Sequence, residues 1–197
     1  MRITGGSAKG RNVGLRKAFS QRADGTDLRP TPAKVRKAIF DILGDRVIES
    51  SFLDLYSGSG AVGIEALSRG ASSVVFVEQD PVRAGIIRDM TERFGFADKA
   101  KIVVAEARSF LRKNSRSFDI IFADPPYGSS ELELILPEIM NRGLAGERGI
   151  VILEHPSKKA LPSHSGALEL KKTYKYGDTS LSLYRAFHEE KTGEEEQ

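Results

Sequence analysis

Asp124-Pro125-Pro126-Tyr127 joins a carboxylate, two prolines and an aromatic ring directly after the apolar run Phe118 to Ala123. Two prolines make a stiff turn whose carbonyls no continuing helix takes up. A substrate amine needs both N–H bonds held so that its lone pair faces an incoming methyl group. Asp124 and the Pro125 carbonyl offer two acceptors for that purpose, and the ring of Tyr127 offers a face on which a planar base stacks. The competing reading of the same residues is a Pro-Pro turn with a packing tyrosine.

A second cluster lies upstream, in Leu53-Asp54-Leu55-Tyr56-Ser57-Gly58-Ser59-Gly60-Ala61-Val62-Gly63. It contains a GxGxxG pattern between an apolar run and a helical pattern, where glycines let backbone approach a ligand and a helix N-terminus offers N–H groups. Glu78 follows Gly58 by 20 residues, the spacing of a carboxylate that accepts from both hydroxyls of an adenosine ribose. On these residues alone a nicotinamide enzyme and an S-adenosylmethionine enzyme fit equally well. Asp54 favours the second, since a carboxylate near the turn repels a pyrophosphate and attracts a sulfonium and an ammonium. It also suits a brace that accepts from N–H groups of the loop. The Asp-Pro-Pro-Tyr segment then points to methyl transfer and leaves a hydride enzyme without a use for it.

Positioning these clusters requires a sheet with its strand ends in one row. Ser51 to Tyr56, Ser73 to Glu78, Ala100 to Ala105, Phe118 to Ala123 and Gly149 to Glu154 read as strands. Ala61 to Arg69, Pro81 to Phe94, Ala107 to Lys113 and Leu132 to Arg142 carry apolar residues three or four apart and read as helices. Asp80 as cap with Pro81 in the first turn marks one helix start, and Gly70 and Gly95 mark helix exits. Ala167 to Tyr176 and Thr179 to Phe187 flank Gly177-Asp178, which predicts a closing antiparallel hairpin. The expected fold is α/β, a mostly parallel seven-stranded sheet with helices on both faces. Upstream, Arg2 to Thr4 and Asn12 to Leu15 suggest a small hairpin, and residues 20–29 a mobile loop. Thr31 caps and Pro32 opens a helix whose apolar face holds Val35, Ile39, Phe40 and Leu43, with Arg36 and Lys37 outside it, until Gly44 ends it. The expected division is a basic extension over 1–30, one domain over 31–187 and an acidic disordered tail over 188–197.

Charge separates these parts. The chain of 197 residues has a net charge of +3. Its first 40 residues carry ten Lys and Arg against two Asp, a net +8, and the tail is acidic. A basic arm on a near-neutral body reads as a face for a polyanion. The absence of Cys excludes disulfides and a Cys nucleophile, and three scattered His make a structural zinc improbable. Nothing resembles a membrane span or a secretory signal, which predicts a chain that stays in the cytoplasm.

The combination Leu28-Arg29-Pro30-Thr31-Pro32, Leu53-Asp54-Leu55 with Gly58-Ser59-Gly60, Glu65-Ala66-Leu67-Ser68-Arg69-Gly70-Ala71, the Asp-Pro-Pro-Tyr segment and Tyr176-Gly177-Asp178-Thr179 resembles the bacterial 16S ribosomal RNA guanine-N2 methyltransferase family, RsmD. The resemblance runs from residue 1 to about 187 and implies a class I methyltransferase fold with S-adenosylmethionine as cofactor. It places Asp54, Gly58 and Gly60 at the methionine part, Glu78 at the ribose, and Gln79, Glu106 and Ala107 near the adenine, with Tyr56, Ser57 and Ser59 also among the cofactor-binding residues. Asp124, Pro125, Pro126 and Tyr127 become the catalytic segment, and Arg11, Arg29, Thr31, Lys34 and Arg36 the contacts to RNA. The implied partner is 16S ribosomal RNA, free or within an assembled or assembling small subunit, met by a monomer that needs no metal. Rival readings are an amino methyltransferase for DNA or protein, a nicotinamide oxidoreductase, and an RNA-binding protein that keeps the fold without the activity.

Overall fold

In the computed structural model, which describes residues 2–12, 32–127 and 130–186, the apolar runs are strands whose successive side chains leave opposite faces of one sheet. Phe52, Phe76, Ile120, Phe122 and Ile152 enter one core with Val35, Ile39 and Phe40. Leu53, Val75, Ile121, Val151 and Leu153 enter the other, with Leu111, Ile135 and Ile139. The strands are β1 (Ser51–Leu55), β2 (Ser73–Glu78), β3 (Ala100–Val104), β4 (Phe118–Ala123), β5 (Ala145–Pro156), β6 (His164–Ser165), β7 (Leu168–Tyr176) and β8 (Thr179–Ala186). The helices are α1 (Ala33–Leu43), α2 (Ala61–Ser68), α3 (Pro81–Arg93), α4 (Ala107–Lys113) and α5 (Glu131–Asn141).

The strand order is β3-β2-β1-β4-β5-β8-β7-β6. β1 to β5 run parallel, while β8 pairs antiparallel with β5 and β7 with β8. The chain leaves β1 toward β2 and β3, then crosses back to β4 on the other side of β1. That reversal opens a crevice at the carboxyl ends of β1 and β4.

The sheet has eight strands rather than the expected seven, because His164 and Ser165 add a two-residue edge against Glu169 and Leu168. A segment that short carries no alternation to read. β5 also starts at Ala145, four residues before the expected Gly149, pairing with Phe118 across an irregularity in the β4 register. Asp80 caps α3 by accepting from the Val82 and Arg83 N–H groups, with Pro81 in the first turn. At α1, Pro32 occupies the cap position instead of the first turn, and its carbonyl accepts from the Arg36 N–H. The cap assigned to Thr31, most of the strand assigned to Asn12 to Leu15, the loop 20–29 and the tail 188–197 lie outside the described residues.

Residues 2–12 pack onto α2. Arg2 bridges Asn12, Ile3 and Ala8 are buried, and the Ser7 N–H donates to the Ser68 carbonyl. Glu65, fully buried in α2, accepts from the Thr4 N–H at 2.9 Å, the Thr4 hydroxyl at 2.7 Å, Arg69 Nε at 3.0 Å and Arg36 Nε at 3.4 Å. Arg36 is 1% exposed and donates a further bond to the Arg2 carbonyl at 2.6 Å. This overturns the placement of Arg36 on the polar face of α1. A guanidinium enters a core when a buried carboxylate meets its charge.

Breaking such a pair from one side leaves the partner charged and buried, at a cost of about 3–5 kcal/mol. Glu65→Ala is therefore expected to lower unfolding stability in urea by an amount in that range. A loss under about 1 kcal/mol would mean that the cluster does not hold the arm.

Candidate active site

Alternation decides which side chains meet at the crevice. Asp54 follows Phe52, Glu78 follows Phe76, Asp124 follows Phe122 and Glu154 follows Ile152, each by two residues. All four carboxyl groups therefore stand on the same face of the sheet, at or near its carboxyl edge. Registers place them in adjacent strands, Asp54 beside Phe76 and Phe122, and Ala123 beside Leu153 just before Asp124 and Glu154.

The glycine turn is built on the first two of these acids. Asp54 Oδ2 accepts from the Gly63 N–H at 2.9 Å, and Asp54 is 1% exposed. Of its two sequence readings, ligand and brace, the geometry supplies the brace. Gly63 has no room for a side chain, since a Cβ there would lie 2.2 Å from the Phe76 ring and 2.9 Å from Asp54 Oδ2. Gly60, at φ 71°, has left-handed backbone and leads into α2, whose first turn has no side-chain cap. Glu78 Oε2 accepts from the Gly58 N–H at 2.8 Å and Oε1 from the Asp80 N–H at 2.9 Å. Each oxygen keeps lone-pair capacity for a second donor, so the residue fits a ribose contact as well. Ser57 ties the ends of β1 and β2 by donating from its hydroxyl to the Asp54 carbonyl and from its N–H to the Val77 carbonyl. Ser59 is buried in the same turn.

Tyr56 holds φ at 59°, an uncommon value for a residue with a side chain. Its hydroxyl donates to Glu131 Oε2 at 2.6 Å, and burial with that carboxylate keeps the phenol well above its ordinary pKa. The strained end of β1 is thereby tied to the first turn of α5. Nothing in the local pattern around Tyr56 announces this partner. Gln79 is exposed, Glu106 is exposed and accepts from the Ser109 hydroxyl, and Ala107 is buried at the start of α4.

At the end of β4, Pro125 is buried and Pro126 exposed. Tyr127 is 52% exposed and its hydroxyl shares a hydrogen bond of 2.7 Å with Thr179 Oγ1, so the β7–β8 turn fixes the ring. Burial raises Asp124 and Glu154 above the ordinary carboxylate range, and the charge of Asp124 adds to the rise at Glu154. Asp54 is pushed up to about 7 by burial, against the Gly63 N–H, with the charges of Asp124 and Glu78 adding to the rise. The sequence reading takes Glu154 only as the last residue of a strand and gives it no place in the site. Its position two residues beyond Ile152 was the available signal.

The candidate RNA contacts divide. Arg36 is taken up by Glu65 and the Arg2 carbonyl, which corrects its assignment to phosphate. Lys34 is exposed. Arg11 is exposed but donates to the Arg93 carbonyl at 3.2 Å and lies over the Phe94 ring at 4.8 Å. Arg29 and Thr31 lie outside the described residues. Among the described residues, no His, Cys, Asp and Glu group is arranged to hold a metal, and no helix is long and apolar enough to cross a membrane.

Residues 1–185 match the family model described as Conserved hypothetical protein 95. The chain is 33% identical over 188 residues to YlbH of Bacillus subtilis, provisionally named an rRNA methyltransferase, covering 94% of this chain and 98% of that one. It is 29% identical over 186 residues to ribosomal RNA small subunit methyltransferase D of Escherichia coli, covering 94% and 89%. The solved structure of yhhF from Escherichia coli, provisionally titled a methyltransferase, superposes with a TM-score of 0.82 at 28% identity, covering 96% of this chain and 99% of that one.

A carboxyl near 7 in the folded state and near 4 in the unfolded state keeps its proton longer when folded. Its contribution to stability is full below about pH 4 and is lost as pH rises toward 7. Asp54→Asn removes this titration. Thermal unfolding from pH 4 to pH 8 is expected to fall less steeply in that variant than in the wild type, whereas parallel curves would deny the raised carboxyl.

Proposed function

From the premise that this chain belongs to the RsmD family, whose model carries the description Conserved hypothetical protein 95, we propose that it transfers a methyl group from S-adenosylmethionine to the exocyclic N2 of a guanine in 16S ribosomal RNA. The substrate is that RNA, free or within a small subunit, and the enzyme acts as a monomer in the cytoplasm. The observation that carries the reading is the placement of Asp124, Pro125 and Tyr127 at the end of β4, across from the glycine turn at the end of β1.

S-adenosylmethionine supplies an already activated methyl on a cationic sulfur. The backbone at Gly58, Gly60 and Gly63, braced by Asp54 and Glu78, forms the cradle for it. Glu78 has capacity for the ribose hydroxyls, and Gln79, Glu106 and Ala107 border the adenine side. Asp124 and the Pro125 carbonyl hold the two amine hydrogens, which turns the nitrogen lone pair toward the methyl. Tyr127, fixed by Thr179, stacks on the base. Alignment and exclusion of water supply the acceleration. Arg11 and Arg29 of the basic extension over 1–30, with Thr31 and Lys34 just beyond it, serve the RNA backbone.

The test incubates methyl-labelled S-adenosylmethionine with ribosomal RNA and with small-subunit particles from a strain lacking the enzyme, and then maps the labelled base. Label on guanine N2 is expected, and label on DNA, protein or another base amine would contradict the reading. Asp124→Ala should abolish most transfer while cofactor affinity stays within about twofold, because its contact is to the amine. Tyr127→Ala should lose more than Tyr127→Phe, since stacking contributes about 1–3 kcal/mol. Equal inactivity of the two variants would make the hydroxyl, not the ring, the working part.

A further inference from the structure

Glu154 closes the crevice on the side away from the glycine turn. It is 3% exposed, and Oε2 has no hydrogen-bond partner among the described residues. Buried carboxylate oxygens are rarely left in that state without a role. Register carries β4 and β5 side by side through Ala123 and Leu153, so Asp124 and Glu154 leave the sheet next to each other on one face. Behind Glu154 stands Leu181 of β8, an apolar neighbour that offers no donor from its side chain. Tyr127 and Thr179 complete the wall. Asp124 and Glu154 thus stand as neighbouring carboxyl groups on the crevice face of the sheet, where holding an amine alone requires only one.

Guanine is the base whose edge matches two acceptors beside each other. Its N2 amine adjoins N1–H, whereas the N6 amine of adenine adjoins a bare N1 lone pair. We propose that Glu154 is a specificity-determining residue, accepting from guanine N1–H through Oε2 while Asp124 holds the N2 amine. This deepens the function proposed above and rests on it. A carboxylate facing the adenine N1 lone pair is repelled, so the same pair that admits guanine rejects adenine. The raised pKa of the acid pair agrees with a site whose negative charge develops fully when substrate donors and a cationic cofactor arrive together.

The discriminating substrate is an RNA carrying 2,6-diaminopurine at the mapped position, which keeps the N2 amine and replaces N1–H by a lone pair. The ratio of kcat/KM for guanine over diaminopurine is measured for the wild type, Glu154→Gln and Glu154→Asp. The Gln side chain matches the volume of Glu and presents an N–H to the lone pair, so the ratio is expected to fall by at least about tenfold. Glu154→Asp keeps the acceptor and should keep the preference for guanine at reduced rate. A ratio unchanged within about twofold in the Gln variant, with methylation of guanine N2 intact, overturns the role of Glu154 alone. Wild-type enzyme that places no methyl on guanine N2 overturns the underlying reading as well. A purely structural role predicts equal losses on both substrates, which also overturns the proposal.

Discussion

Carboxyl groups crowded side by side with little water around them resist ionising together, and this sheet brings four of them to one end of one face, three buried and Asp124 half-buried. Asp54, Glu78, Asp124 and Glu154 arrive there because each lies two residues beyond an apolar residue of the same core. The surroundings answer the charge in different ways. Glu78 and Asp54 accept backbone N–H groups of the glycine turn, which shapes that turn. Asp124 and Glu154 meet no such donor in the described contacts and respond by holding protons to higher pH. Arg83 Nη1 lies 3.8 Å from Glu78 Oε1, and the proposed cofactor, with its sulfonium and ammonium, together with a base edge rich in donors, would answer the charge that remains. The same crowding therefore accounts for the loop geometry and the shifted carboxyls, and it favours the proposed ligand.

The N-terminal arm is coupled to this edge through α2. Glu65 fixes Thr4, Arg36 and Arg69 at the far end of the helix whose first turn borders the glycine cradle. On the opposite side, Tyr56 ties the end of β1 to α5, and Tyr127 is tied to the β7–β8 turn. These three ties connect segments far apart in the sequence, so that the crevice is walled by parts fixed to regular elements.

Much of this was legible in the residues. Short apolar and β-branched runs located β1, β2 and β4, the Asp80-Pro81 pair located the start of α3, and Gly177-Asp178 located the hairpin. The turn glycines and the Asp-Pro-Pro-Tyr segment sit together at the crevice because parallel strands put all their carboxyl ends on one side. What escaped was pairing over distance. Arg36 looks polar on a helical wheel, and only the buried Glu65, 29 residues on, explains its place in the core. Glu154 reads as the last residue of an apolar strand until the neighbouring strand is known to be β4. The tie from Tyr56 to Glu131 spans 75 residues, and the two-residue β6 has no pattern of its own.

The central claim is that the acidic edge is completed by a cation, and proton exchange on binding tests it most directly. S-adenosylmethionine and S-adenosylhomocysteine differ at the sulfur, cationic in one and neutral in the other. Calorimetric titration at pH 7 in two buffers of different ionisation enthalpy gives the protons released by each. A sulfonium beside carboxyls that are partly protonated should drive protons off, so S-adenosylmethionine is predicted to release more than S-adenosylhomocysteine, and the difference should shrink in Asp54→Asn. Equal release by the two ligands, or none by either, would contradict the account.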